Sequence, residues 1–261
     1  MRPVRDGVLI TSTLDSTSPF PPVSKPIILS NVRNEAGPTI YWNFNDPIDT
    51  STYRTIVSSS LGDPRASNVL SSPYYQVPGG QTVDARVQLE KMGTDQVWRC
   101  ATWTFARSWT QNGGRAFVAL YTVGATYPDN SAIPFCSGAG AVCHEDDIEI
   151  VVRDLVGSPC PFFDDQTQFG TVSNPTSAQS SLISEVQARY KSFMLTGDPN
   201  PLGALGALGA LGVGLPHWSP ATTGNFSAQN LGSPGTAAIG ACNTQFWGTS
   251  SVPYDYQIFG I

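Results

Sequence analysis

Two apolar runs stand out along a chain otherwise interrupted by Ser, Thr, Asn, Gly and Pro. Ile27–Val32 (Ile-Ile-Leu-Ser-Asn-Val) follows Lys25-Pro26 and has the length and content of a short buried strand. Ala116–Val123 (Ala-Phe-Val-Ala-Leu-Tyr-Thr-Val) is apolar on both faces of an extended backbone and predicts a second strand. Helical spacing recurs elsewhere. Val83–Met92 is helix-compatible. Asp95 stands where an N-cap would, ahead of Val97, Trp98, Ala101 and Phe105 on one face, with Gly113-Gly114 as the stop. The clearest helix opens at Thr176-Ser177-Ala178-Gln179, a capping-box pattern. It carries Leu182, Ile183, Val186, Tyr190, Phe193 and Met194 as an apolar stripe, up to a C-cap at Gly197.

Most of the remainder reads as loop. Residues 1–25 are extended, with Pro19, Pro21 and Pro22 opposing any helix, and residues 36–80 read as loops and short helical pieces. Ile148–Val152 is too short to assign, and residues 216–261 are loop-rich with aromatic anchors. Asp198-Pro199-Asn200-Pro201 breaks the chain. Residues 203–211 repeat Gly-Ala-Leu, which reads as a surface-loop insertion rather than a solenoid. Strand, loop, helix, strand, loop, helix is a fragment of an alternating α/β pattern. Two strands are few for 261 residues, so the expectation is half of an α/β sheet with flanking helices, in one domain over residues 1–261.

Composition narrows the function classes. Hydrophobic residues at 40% and six tryptophans describe a folded globule. The net charge of −6, with no run of lysine or arginine, argues against nucleic-acid binding by phosphate neutralisation. No stretch of about 18 apolar residues is present to span a membrane. Charged residues make up only 13%, about half the usual share. Together with five cysteines and a sequon at Asn225-Phe226-Ser227, a candidate glycosylation site, this favours an extracellular protein. No apolar segment follows the two arginines at the start, so no signal peptide is expected there.

The chemistry concentrates at two places. His144, one of only two histidines, sits in Cys143-His144-Glu145-Asp146-Asp147, and Cys136 and Cys143 could close a short loop ahead of it. Glu35 stands just beyond the first strand, in Asn34-Glu35-Ala36-Gly37. A strand-end acid followed much later by a loop histidine is how the second and third members of a Ser…Glu…His triad are ordered in α/β-hydrolases. The first member belongs in a Gly-x-Ser-x-Gly turn, and no such pentapeptide occurs in the 261 residues. Other readings are weaker. Six residues between Cys136 and Cys143 is wide for a zinc knuckle, so no metal is expected. Ser137 lacks the strained elbow of a nucleophile, and acidic pairs such as Asp164-Asp165 are ordinarily just solvated.

These motifs resemble those of type-B carboxylesterases, the family of fungal secreted esterases and lipases and of cholinesterases. Asp6-Gly7-Val8-Leu9-Ile10 is similar to the segment ahead of the family's acid strand, and Asn34–Gly37 to its acid motif. Cys143–Glu149 resembles its histidine motif. Phe193–Asn200 resembles Phe-x-x-x-Gly-x-Pro-Asn, and His217-Trp218-Ser219-Pro220 resembles a Trp-Pro segment. The resemblance covers nearly the whole chain and corresponds to the C-terminal half of the family's α/β-hydrolase fold.

The resemblance implies Glu35 as triad acid, His144 as general base and Asp147 as a buried structural acid behind the site. It implies a small-molecule or lipid ester as substrate, no cofactor, and disulfides Cys100–Cys242 and Cys136–Cys143, with Cys160 left over. By the residues alone, five cysteines leave other pairings open. Two departures matter. Glu145 replaces the glycine that usually follows the histidine, and the half bearing the serine and oxyanion hole is absent from this sequence. The expectation is therefore an ester hydrolase by descent that is inactive as an isolated chain, or alternatively a non-catalytic cholinesterase-like binding module. A central strand left at an edge would invite self-association.

Overall fold

The computed structural model describes residues 23–79, 83–152, 174–201, 214–222, 224 and 226–259. The Asp6–Ile10 segment, Cys160, the Gly-Ala-Leu repeat and the glycosylation candidate Asn225 lie outside them. Within the described residues the chain is an α/β protein built on a four-stranded mixed sheet of order β1-β2-β3-β4: β1 (Pro26–Val32), β2 (Arg115–Tyr121), β3 (Ala228–Leu231) and β4 (Thr236–Ala237). β1, β2 and β3 run parallel, with Pro26 opposite Arg115 and Val32 opposite Tyr121, while β4 returns antiparallel to β3.

β2 shows why the sheet holds. Ala116 and Val118 point into one core, and Phe117, Ala119 and Tyr121 into the other, so a run apolar on both faces is buried on both. Helices α1 (Gly37–Asn43), α2 (Thr50–Leu61), α3 (Arg65–Ser71), α4 (Arg86–Gly93) and α5 (Cys100–Gln111) occupy the crossover between β1 and β2. Leu89, Met92 and the fully buried Trp103 close the first core. After the short helix α6 (Ile148–Val152), the long helix α7 (Ser177–Thr196) covers the other face with Leu182, Ile183 and Val186. A last helix, α8, spans Asp255–Phe259.

Several sequence expectations stand in the structure. α7 begins with a capping box, Thr176 with Gln179, and ends at Gly197 in the left-handed conformation. The two disulfides are Cys100–Cys242 and Cys136–Cys143. Three details differ. Asp95 is not an N-cap: α4 runs through a π-helical stretch, Thr94–Arg99, into α5, and Asp95 is buried there against Arg99 and the Tyr75 hydroxyl. β3 and β4 arise within a stretch that reads as loop. Met194 belongs to no core, being 78% exposed, whereas the buried place on α7 goes to Arg189. Arg189 stays buried because Glu185 accepts from its Nε, the Pro216 carbonyl accepts from Nη2, and its guanidinium lies over the Trp218 ring.

The two motifs around positions 200 and 218 turn out to be halves of one joint. Trp218 N donates to Asn200 Oδ1 at 2.7 Å, and Asn200 Nδ2 returns a bond to Trp218 O at 2.9 Å. The indole is buried and donates to Val118 O in β2. The outer edge of β1 pairs with no strand among the described residues.

Candidate active site

Parallel strands bring their C-terminal ends to one side of a sheet, and loops leaving adjacent strands meet there. β1 ends at Val32 and delivers Glu35. β2 ends at Tyr121 and delivers, through a longer loop, His144. The two loops are stitched together at Asn34, which forms an isolated parallel bridge with Cys143. Asn34 N donates to Val142 O at 2.8 Å, and Asn34 Oδ1 accepts from Val142 N at 3.2 Å. Close approach requires glycine at the start of α1, because a Cβ at Gly37 would lie 2.8 Å from Cys143 Sγ.

Across this seam His144 Nδ1 lies 2.6 Å from Glu35 Oε2, although the residues are 109 positions apart in sequence. Glu35 is buried and held from behind: its Oε1 accepts from Val32 N at 2.9 Å and faces Asn31 Nδ2 at 3.4 Å. The His144 side chain is 47% exposed. A carboxylate can only accept, so Nδ1 carries the proton and Nε2 keeps its lone pair. Nε2 makes no hydrogen bond to a described residue, and Trp98 leans on the ring with centroids 5.6 Å apart. The hydrogen bond that Nδ1 donates to Glu35 raises the imidazole pKa above its ordinary value, against an opposing desolvation effect, with Glu145 and Asp147 adding to the rise. A cleft of about 620 Å³ opens beside the ring, lined among others by Pro38, Trp42, Ile133, His144 and Glu145.

The histidine loop is rigid for identifiable reasons. The Cys136–Cys143 disulfide closes it, and the Asn130 amide donates to His144 O at 2.7 Å. An acid beneath it, Asp146, ties the loop together. Asp146 is buried and accepts from Tyr127 N, Asn130 Nδ2 and Cys143 N, at 2.7, 2.9 and 2.7 Å. Asp147 is partly buried, its carbonyl accepts from Val151 N at 3.0 Å, and burial and the neighbouring Glu35 raise its pKa.

Glu145, with a φ of +74°, turns the backbone through the left-handed region. L-residues pay about 1–2 kcal/mol there, which gives a physical reason for glycine after the histidine in the motif this segment resembles. Glu145→Gly should therefore raise stability by about 1 kcal/mol, read as a higher urea midpoint at unchanged slope. A lower midpoint would mean that the Glu145 side chain contributes more than its backbone costs.

Sequence reasoning misses the support beneath the acid loop. Ala36 N donates to Thr94 Oγ1 at 2.9 Å, and Thr94 Oγ1 donates to the buried Glu90 Oε1 at 2.8 Å. Burial pushes the Glu90 carboxyl up to about 7. Burial also raises Asp95, Asp146 and Asp147. Each binds its proton more tightly folded than unfolded. Its stabilising contribution is therefore complete below the ordinary value and is lost as pH rises through the folded one. For Glu90 the window runs from 4.5 to about 7. The thermal midpoint should fall between pH 4.5 and about pH 7, and Glu90→Gln should flatten the fall. A midpoint that climbs over this interval would contradict the assignment.

No protein-family model and no curated protein matches this chain.

Proposed function

We propose that this chain is the acid–base part of a serine carboxylic ester hydrolase of type-B carboxylesterase descent, with an α/β-hydrolase fold. The observation carrying the proposal is the 2.6 Å contact between buried Glu35 and half-exposed His144, with Nε2 left free beside a cleft. In the proposed reaction a serine hydroxyl gives its proton to Nε2 as its oxygen attacks the ester carbonyl. The imidazolium then returns that proton to the leaving alcohol. Water repeats the sequence to release the acid from the acyl-serine. Glu35 fixes the tautomer and stabilises the imidazolium.

The serine is supplied by a polypeptide segment outside these 261 residues, since no Gly-x-Ser-x-Gly occurs within them. Substrate is a small or lipid ester, and the chemistry uses no cofactor. Export is part of the proposal: two disulfides, and no described helix long and apolar enough to cross a membrane, are compatible with it. The outer edge of β1, which pairs with no strand among the described residues, is where the serine-bearing segment or a second copy would add.

The test compares the purified chain with the product of the reading frame extended upstream, using para-nitrophenyl esters. The extended product should turn over and lose activity in His144→Ala, while the chain alone stays inert. Turnover by the chain alone, inhibited by a fluorophosphonate, would refute the proposal. The missing serine also motivates a second reading, a non-catalytic binding module. Stop codons immediately upstream, with a working promoter, would favour it.

A further inference from the structure

Glu90 is an anomaly that the acid–base pair does not use. It is a buried carboxyl on α4 and forms no ion pair among the described residues. Its hydrogen-bond partner leads to the site. Thr94 donates to Glu90 and accepts from Ala36 N, the residue after Glu35. The backbone held in this way adjoins Asn34, which clasps Val142 on the histidine loop. One carboxylate thus fixes the hydroxyl that holds the backbone just after Glu35.

We propose that Glu90 is a positioning residue, which through Thr94 holds the acid loop in place and so maintains the Glu35–His144 hydrogen bond from beneath.

The geometry explains an otherwise costly arrangement. A buried carboxyl with one neutral side-chain donor is expensive unless that donor needs it. Removing it would leave the Thr94 hydroxyl without this acceptor beneath a loop that tolerates no slack, given the 2.6 Å contact above it. The π-helical stretch is what makes the relay possible. It begins at Thr94, one turn beyond Glu90, and the widened turn places that hydroxyl between the helix and Ala36. The charged and titratable groups that act on Glu90 are Asp95 and Arg99 from the same stretch, while Tyr41 from α1 feels its charge. Ionised Glu90 accepts from Thr94. Protonated Glu90 accepts less well, so the clasp should loosen as Glu90 takes up a proton.

The role stands on loop geometry and does not require the ester-hydrolase reading. Its test therefore reads the histidine and not turnover. Only His144 and His217 contribute imidazole signals, and His217→Gln assigns them. The full chain, labelled with ¹⁵N-histidine, is titrated by NMR and examined for the low-field proton between His144 Nδ1 and Glu35.

Glu90→Gln and Thr94→Val should both lower the His144 titration midpoint and broaden or abolish the low-field proton, and Thr94→Ser should restore both. Thr94→Val keeps the Glu90 charge. If Glu90→Gln alone moves the midpoint, the influence is charge through space and the positioning role is overturned. Titration of Thr94→Val on the wild-type curve overturns it equally. Should Glu90→Gln fail to fold, as judged by near-UV circular dichroism, the Thr94 pair decides.

Discussion

Glu35→Gln should reduce kcat by about 10⁴-fold in an enzyme completed with its serine-bearing segment, on the scale seen when a triad acid is made an amide. The loss would come from the tautomer. Glu35 Oε2 sits 2.6 Å from Nδ1 and can only accept, so it obliges the imidazole to keep its lone pair on Nε2, facing the cleft. Glutamine can turn its NH₂ to Nδ1, which moves the proton to Nε2 and leaves no base where the serine hydroxyl would arrive. Its volume is nearly unchanged, so packing against Val32 and Asn31 is retained and stability should move little. Kinetics beside thermal unfolding separates the two. A tenfold or smaller loss would show that Glu35 does not orient His144.

Removing the Cys100–Cys242 disulfide should have the largest effect on stability. The bridge closes 142 residues, and the entropy of leaving such a loop open in the unfolded chain is worth about 5 kcal/mol. That is a large part of the 5–15 kcal/mol that usually holds a domain together. The location adds to the effect. Cys242 opens the C-terminal stretch, which reaches the core through side chains: Arg107 donates to Cys242 O and Trp247 Nε1 donates to the Tyr75 hydroxyl. Cys100→Ala with Cys242→Ala should shift the urea midpoint far down or prevent folding. Breaking Cys136–Cys143, with a separation of only 7, should cost about 2 kcal/mol, with the local effect at His144. Equal costs for the two would mean that native-state contacts, not loop entropy, set them.

Residues whose pattern is local were legible in the sequence. β2 announces itself because both its faces are apolar, and α7 because its first turn carries its own cap. Glu35 and His144 were legible by motif and chain order. β3 was not, since Ala228–Leu231 has polar residues at its centre and becomes a strand only by pairing with β2. Asp95 misled because an acid ahead of an apolar stripe resembles a cap, whereas here a π-helical stretch carries the helix through and Arg99 neutralises the carboxylate. The part played by Asp146 was not legible, because its donors Tyr127 N, Asn130 Nδ2 and Cys143 N converge only in the folded loop. Glu90 and Thr94 left no signal at all, since Thr94 meets Ala36 across 58 residues and no spacing rule links them.

The central claim is that this chain carries an acid–base relay without the atom that attacks. Intact-mass spectrometry of the purified chain after fluorophosphonate treatment tests it most directly. The account predicts an unmodified mass. A single phosphonyl adduct on one of the chain's own serines, absent when His144 is replaced by alanine, would contradict it.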